Sequence, residues 1–336
     1  MAVTLRKSLK IIEDYKTANP HYTDLLDILA DILILREEYR KNMKDSVFHV
    51  EENLIAQKME GGLPLVDITG KEYDLSRPKK YFQSLIVIAE KRMPEAAREI
   101  TSFIDSGEFD WEKAVKASFE RIDEYAGDES RTEILSSSDE SRDNFDLIDL
   151  FAEESLRPEL EYIAEKYGAV VEKTGWAEGY CPICGKEPKI GEIRAGEDGK
   201  RYLFCHQCGF KWNFRRIKCP FCGNDEQQSL AYFAVEGEER HRVDVCNKCR
   251  RYIKIVELPK AEEEPNLDVE DIATLHLDMI DFNFPAPWEK GQGNYLTGLY
   301  RDFYSFGLNR LAFRNFNVHN PVFKTCFGFI YFDFCS

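Results

Sequence analysis

Cysteine is missing from the first 175 positions of this 336-residue chain, and eight of its ten cysteines then fall between positions 181 and 249. Long apolar runs are missing too: no stretch approaches the roughly 18 to 20 residues needed to span a bilayer. The opening MAVTLRKSLKIIEDYK lacks the apolar core and small-residue cleavage site of a secretory signal. These absences predict a soluble, cytoplasmic protein. A reducing compartment does not sustain disulfides, so the cysteines need another role. An excess of positive charge is also lacking, since 45 Lys+Arg face 61 Asp+Glu for a formal −16. That argues against a general nucleic-acid binder, whose affinity rests on neutralising phosphates with Lys and Arg. There is no G-x-S-x-G, no glycine-rich phosphate loop and no H-E-x-x-H, so an enzyme is not expected.

The first 175 residues read as helical. Leu25, Leu26, Ile28, Leu29, Ile32, Leu33 and Leu35 form a nearly all-round apolar segment, the pattern of a helix packed on several sides, with Thr23 placed to cap it. A turn follows at Gly61-Gly62-Leu63-Pro64. The run Tyr81–Ala89 has strand propensity, but the charged, helix-forming residues after it favour a buried helix. Further helices are expected around 94–104, 111–125 and 143–167, with a polar loop at 127–144. From Cys181 the periodicity shortens to strand-like runs at 202–204, 243–245 and 252–256, with turns at 197–199 and 236–238. Ile272, Leu275 and Met279 suggest one amphipathic helix. The expected fold is α+β and multidomain: a helical domain over 1–175, two small tandem ribbon β modules over 176–260, and a C-terminal helix with an aromatic tail over 261–336. That tail, from Tyr300, holds nine of the 23 phenylalanines and two acidic residues.

The eight clustered cysteines form four C-x2-C pairs: Cys181/Cys184, Cys205/Cys208, Cys219/Cys222 and Cys246/Cys249, separated by 20, 10 and 23 residues. A C-x2-C turn sets two thiolates on one side of a metal, and a second such turn completes a tetrahedral four-thiolate site. Intervals of 20 and 23 leave room for a two-stranded hairpin between turns. Cys181-Pro182-Ile183-Cys184-Gly185 recurs 38 residues later as Cys219-Pro220-Phe221-Cys222-Gly223, an internal repeat that makes each half a knuckle, a hairpin and a second knuckle. Two metal ions are therefore expected, in ribbons 181–208 and 219–249. The repeat favours pairing neighbouring knuckles. The alternative joins Cys205/Cys208 to Cys219/Cys222 and leaves Cys181/Cys184 for Cys246/Cys249. A redox dithiol suits a lone C-x2-C better than four at ribbon spacing. His206 and His241 could be ligands, but eight thiolates already fill two tetrahedral sites. Cys326 and Cys335 have no C-x2-C partner and read as bystanders. Four sulfurs suit zinc or iron, and sites closed by four thiolates leave no position open for catalysis.

Many such ribbons bind nucleic acid, so charge decides. Residues 181–260 carry 16 Lys+Arg and 11 Asp+Glu, a formal +5 that eight thiolates and two divalent ions reduce to +1. A near-neutral ribbon on an acidic body is a poor nucleic-acid surface. Basic residues do gather locally. Lys211, Arg215 and Arg216 with Trp212 suit an extended or acidic protein segment, or else they offset thiolate charge within the ribbon itself.

The block Cys181–Gly185, then Arg201-Tyr202-Leu203-Phe204-Cys205-His206-Gln207-Cys208, Trp212, Lys218-Cys219 and Asp244-Val245-Cys246-Asn247-Lys248-Cys249 with Tyr252-Ile253-Lys254 resembles the formate dehydrogenase accessory protein family, the FdhE type. Gly62-Leu63-Pro64-Leu65, Leu156-Arg157-Pro158 and Asp271-Ile272-Ala273-Thr274-Leu275 resemble its pattern as well. The resemblance spans roughly residues 60 to 280 and fails beyond about Pro285. It implies a cytoplasmic maturation factor with a helical domain and two rubredoxin-like modules holding iron or zinc. It also implies contact with the formate dehydrogenase catalytic subunit rather than turnover of formate. Two other functions remain open at this point: a redox-active iron protein that delivers electrons during maturation, and a zinc-ribbon nucleic-acid binder, which the charge disfavours.

Overall fold

The structure, a computed structural model, describes residues 3–117, 119, 142–235, 238, 240–259 and 264–281. The helical part comprises α1 (Val3–Ala18), α2 (Thr23–Lys41), α3 (Ile55–Glu60), α4 (Ser76–Arg92), α5 (Pro94–Asp105), α6 (Trp111–Ala117) and α7 (Arg142–Val171). In α2, Leu25, Leu26, Ile28, Leu29, Ile32 and Leu33 are all buried, because the helix packs against α1 on one side and α4 and α7 on another. Thr23 is not its cap. A 3-10 turn, Pro20–Tyr22, runs straight into the helix; the proline ring fixes φ there, so the backbone has already turned before Thr23. The 81–89 run is helical, lying within α4 with Tyr81, Phe82, Leu85 and Ala89 on its buried face. Helix α7 starts at Arg142, inside the stretch expected to be a loop; residues 127–141 of that stretch lie outside the described residues.

Six strands follow: β1 (Ile190–Arg194), β2 (Lys200–Phe204), β3 (Lys211–Phe214), β4 (Leu230–Phe233), β5 (His241–Cys246) and β6 (Arg251–Leu258). They form one sheet in the order β3-β2-β1-β6-β5-β4. Within each ribbon the three strands are antiparallel, but β1 and β6 pair in parallel, from Ile190↔Lys254 to Arg194↔Leu258. The third strand of the second ribbon thus pairs with the first strand of the first, and the tandem modules share a continuous sheet. At the β1–β2 turn Asp198 and Gly199 are both left-handed, at φ 58° and 68°, which Asp tolerates and Gly adopts freely. The turn expected at 236–238 includes residues outside those described.

The chain then returns to its beginning. The single C-terminal helix expected from Ile272, Leu275 and Met279 is instead two: α8 (Leu267–Ala273) and α9 (Leu275–Asp281). Thr274 separates them. Its hydroxyl donates to the carbonyls of Glu270 (2.6 Å) and Asp271 (3.3 Å), and the Asp271 carbonyl, which a continuous helix would give to the amide of Leu275, also accepts from the Lys254 ammonium at 2.9 Å. Asn266 caps α8, its side-chain oxygen accepting from the amides of Asp268 and Val269 while its own amide donates to Ser8 of α1 at 2.6 Å. Val269, Ile272 and Leu275 bury against Leu5, Ile12, Leu25, Leu26 and Leu29.

A single apolar cluster runs from α2, α4, α5 and α7 through Leu65 and Val66 to Cys181, Ile183, Cys184, Cys205, Cys208, Leu203, Trp212 and Ile253. Helices and first ribbon therefore share a core, consistent with the short connection between Tyr167 and Tyr180. Buried charges tie helices α2, α7 and α8 together. Arg36 of α2 donates to Glu154 (2.9 Å) and Glu161 (3.3 Å) of α7, and Arg157 donates to Glu161 (2.9 Å) and to Asp268 of α8 (2.8 Å). The aromatic tail, with Cys326 and Cys335, lies outside the described residues. Among those described, no helix is long and apolar enough to cross a membrane.

Candidate metal centres

Each knuckle is built by the same local bonds. Cys181 donates its amide to Lys186 O (2.8 Å) and its carbonyl accepts from Gly185 (2.8 Å). Cys205 repeats this with Phe210 (3.0 Å) and Gly209 (2.8 Å), and Cys219 with Asn224 (2.7 Å) and Gly223 (3.1 Å). The residue after the second cysteine must turn left-handed to close the loop, and Gly185, Gly209 and Gly223 do so at φ 80°, 68° and 71°. The fourth knuckle achieves the same bend with Arg250, at φ 59°, whose amide donates to Cys246 O at 2.7 Å.

The hairpins then bring knuckles together in sequence order. The sulfurs of Cys181, Cys184, Cys205 and Cys208 lie within 4.8 Å of one another, as do those of Cys219, Cys222, Cys246 and Cys249. Across the first group Cys181 and Cys208 are 3.4 Å apart and Cys184 and Cys205 3.5 Å; across the second, Cys219–Cys249 is 3.6 Å and Cys222–Cys246 3.7 Å. Four sulfurs at about 2.3 Å from one ion sit about 3.8 Å apart in a tetrahedron, whereas a disulfide needs about 2.05 Å. The donor set and its spacing therefore fit a tetrahedral ion in each group. Thiols crowded this way already share protons unequally. Burial pushes Cys181 and Cys208 up, while Cys219 is held down to about 5 by the hydrogen bond from Cys249.

Both histidines lie outside the sulfur groups: His206 is inside the second knuckle, and His241 begins β5 at the end opposite Cys246. His206 faces Glu153 at 3.5 Å and burial lowers its pKa; His241 Nε2 is 2.8 Å from Glu270. The cationic-aromatic group divides. Trp212 is buried, its indole N–H donating to Glu178 O at 3.1 Å, and Lys211 is paired with Glu192 (3.3 Å) and Glu264 (3.0 Å). Arg215 and Arg216 are exposed, with Asp225 3.7 Å from Arg215.

Two supporting residues escaped the sequence reading. Gln207 is buried and donates to Glu153 O at 2.7 Å, fixing the second knuckle to α7. Asn224 is buried too, its amide lying 3.6 Å from Cys246 Sγ and 2.6 Å from Ser229 Oγ. The internal repeat places Lys186 at the equivalent position of the first half, where its carbonyl accepts from Cys181 as that of Asn224 does from Cys219 while its side chain pairs with Glu153 at 3.0 Å.

Comparison with known proteins matches this region twice. A family model described as the central domain of FdhE matches residues 180–216, and one described as the C-terminal domain of FdhE matches 217–283, so the boundary falls between the two sulfur groups. A protein from Aquifex aeolicus named FdhE homolog is 28% identical over 288 residues, covering 85% of this chain and 90% of that protein. A Pseudomonas aeruginosa FdhE homolog is 37% identical over 120 residues, which span 33% of this chain and 37% of its own length. The crystal structure of the FdhE protein from Pseudomonas aeruginosa aligns with 87% of this chain and 94% of its own at 19% identity and a TM-score of 0.49.

Proposed function

The chain is of the FdhE type, and from that premise we propose that it is a metal-binding accessory protein that helps formate dehydrogenase become active by binding its catalytic subunit. The observation that carries this reading is the pair of closed four-sulfur groups within the two family domains. Four protein ligands leave an ion no vacant position for a substrate or a reactive water, so neither ion is placed for catalysis and the work lies in recognition. The ions are zinc or iron, which four sulfurs accommodate alike. Cytoplasmic location belongs to the same reading, because thiolate sites of this kind persist where disulfides do not form.

The docking surface is the exposed end of β3, where Arg215 and Arg216 project beyond the buried Trp212. Guanidinium groups pair in a two-pronged way with carboxylates, which suits an acidic client segment. The test uses the full chain, metal-loaded and immobilised, to capture the catalytic subunit from cells making formate dehydrogenase. Wild type should retain it, and Arg215→Ala/Arg216→Ala should lose it with both ions still bound. Failure of wild type to retain the subunit overturns the function; equal retention by the variant overturns the surface.

A further inference from the structure

The two sulfur groups are alike in ligands but not in surroundings. Cys181, Cys184, Cys205 and Cys208 are 0%, 5%, 0% and 1% exposed, and all four belong to the main apolar core. In the second group Cys219 and Cys246 are buried, but Cys222 and Cys249 reach solvent. The first knuckle is also pinned to the helical part by backbone bonds, Leu65 N to Pro182 O and Val66 N to Ile183 O, each 2.9 Å. The second knuckle is pinned through Gln207 to α7 and by Phe210 packed against Gly168.

The second group sits at the outer end of the sheet, beside edge strand β4, whose central residues Ala231 and Tyr232 are exposed. Its strands do not depend on an ion to stay in place. Strand β6 is held in parallel by β1, and Lys254 at its centre is buried with its ammonium 2.8 Å from Asp278 and 2.6 Å from Asp271. Ile253, Ile255, Val256 and Leu258 stay buried through these contacts, and β5 is carried by its six-residue pairing with β6.

Resting on the metal reading above, we propose that the two ions have different roles: the one on Cys181, Cys184, Cys205 and Cys208 is a permanent part of the core, whereas the one on Cys219, Cys222, Cys246 and Cys249 is exchangeable with soft ligands outside the protein. Cys222 and Cys249 are the points of entry. An incoming thiolate bonds to the ion as the bond to Cys222 or Cys249 breaks, and the released cysteine thiolate takes a proton from water. The ion's charge and oxidation state are unchanged. Repetition of that step hands the ion to an external thiol-rich or chelating partner while the sheet stays folded. At the first group the same attack requires the helices and first ribbon to part, an opening of the shared core rather than of a surface loop.

The experiment uses the full chain loaded with zinc, challenged with excess EDTA, and sampled over time for bound zinc, for circular dichroism, and for the cysteines that iodoacetamide labels. One equivalent should leave with circular dichroism unchanged and with Cys222 and Cys249 labelled first. The second equivalent should leave at least ~100-fold more slowly, a factor corresponding to about 3 kcal/mol of further opening. Cys222→Ser/Cys249→Ser should remain folded with one ion. Loss of both ions at one rate, or labelling of Cys181 and Cys205 as fast as Cys222, overturns the proposal. A loaded protein that never holds two ions overturns the metal reading itself, which the stoichiometry before EDTA reports separately.

Discussion

Glycine at the end of a knuckle has one task, to turn the chain left-handed so that an amide can reach back to the first cysteine's carbonyl. At Gly209, φ is 68° and an added Cβ would meet nothing nearer than Glu161 at 3.5 Å, so the cost of Gly209→Ala is conformational rather than steric. That cost is about 1–2 kcal/mol, visible as a lowered midpoint in chemical unfolding of the metal-loaded protein. An unchanged midpoint would show that the turn relaxes at no expense. These positions were readable in advance where C-P-x-C-G repeats, because the pattern names both the proline and the glycine. Arg250 was not readable, since nothing in C-N-K-C-R marks an arginine for a left-handed conformation. Lys211 and Trp212 show the converse limit. Type and spacing made them look like a binding group, but only the fold shows that the indole is committed to Glu178 and the ammonium to Glu192 and Glu264.

Between elements, the junction of α2, α7 and α8 depends on charges that sequence alone does not pair: Arg157 and Glu161 are neighbours on α7, but Arg36 and Arg40 lie more than a hundred residues from Glu161, as Arg157 does from Asp268. Glu161 is the hub, within 3.3 Å of Arg36, Arg40 and Arg157. Burial raises its pKa, but the Arg36 and Arg157 guanidiniums outweigh that and hold it at about 2, below an ordinary 4.5. A depressed carboxylate stabilises the fold fully above the unfolded pKa and loses that contribution as pH falls from about 4.5 through 2. Glu161→Gln should therefore cost about 3 kcal/mol at pH 7, and the gap to wild type should shrink to about half at pH 3. Urea unfolding of both proteins at the two pH values measures it; a gap that does not narrow would mean the ionised carboxylate is not what holds the junction. The helices themselves were legible from apolar spacing, as at α2 and α4. The division of α8 from α9 was not, because the carbonyl of Asp271 at the break is bonded by the Thr274 hydroxyl and by the ammonium of Lys254, which β6 supplies.

For the molecule as a whole, the repeat announced two similar metal ribbons but not that β1 and β6 would join them, since parallel pairing between distant strands leaves no local mark. Because the first sulfur group lies inside the core that helices and sheet share, its loss should not be confined to one ribbon. Cys181→Ser/Cys184→Ser is expected to destabilise the helical part along with the first ribbon, by several kcal/mol, as structural metal binding is itself folding energy. The check is helical circular dichroism against temperature, with metal content measured alongside. A variant whose helices melt as in wild type would mean that the two parts fold independently. The return of α8 onto α1 and α2 also has a consequence for synthesis. The face of α2 bearing Leu25, Leu26 and Leu29 waits for Val269 and Ile272, which the ribosome adds more than two hundred residues later. At roughly 5–20 residues per second, that interval is on the order of tens of seconds. Throughout it the nascent chain carries a leucine face that α1 covers only in part, and both sets of thiolates emerge from the ribosome before the segment that completes the cover.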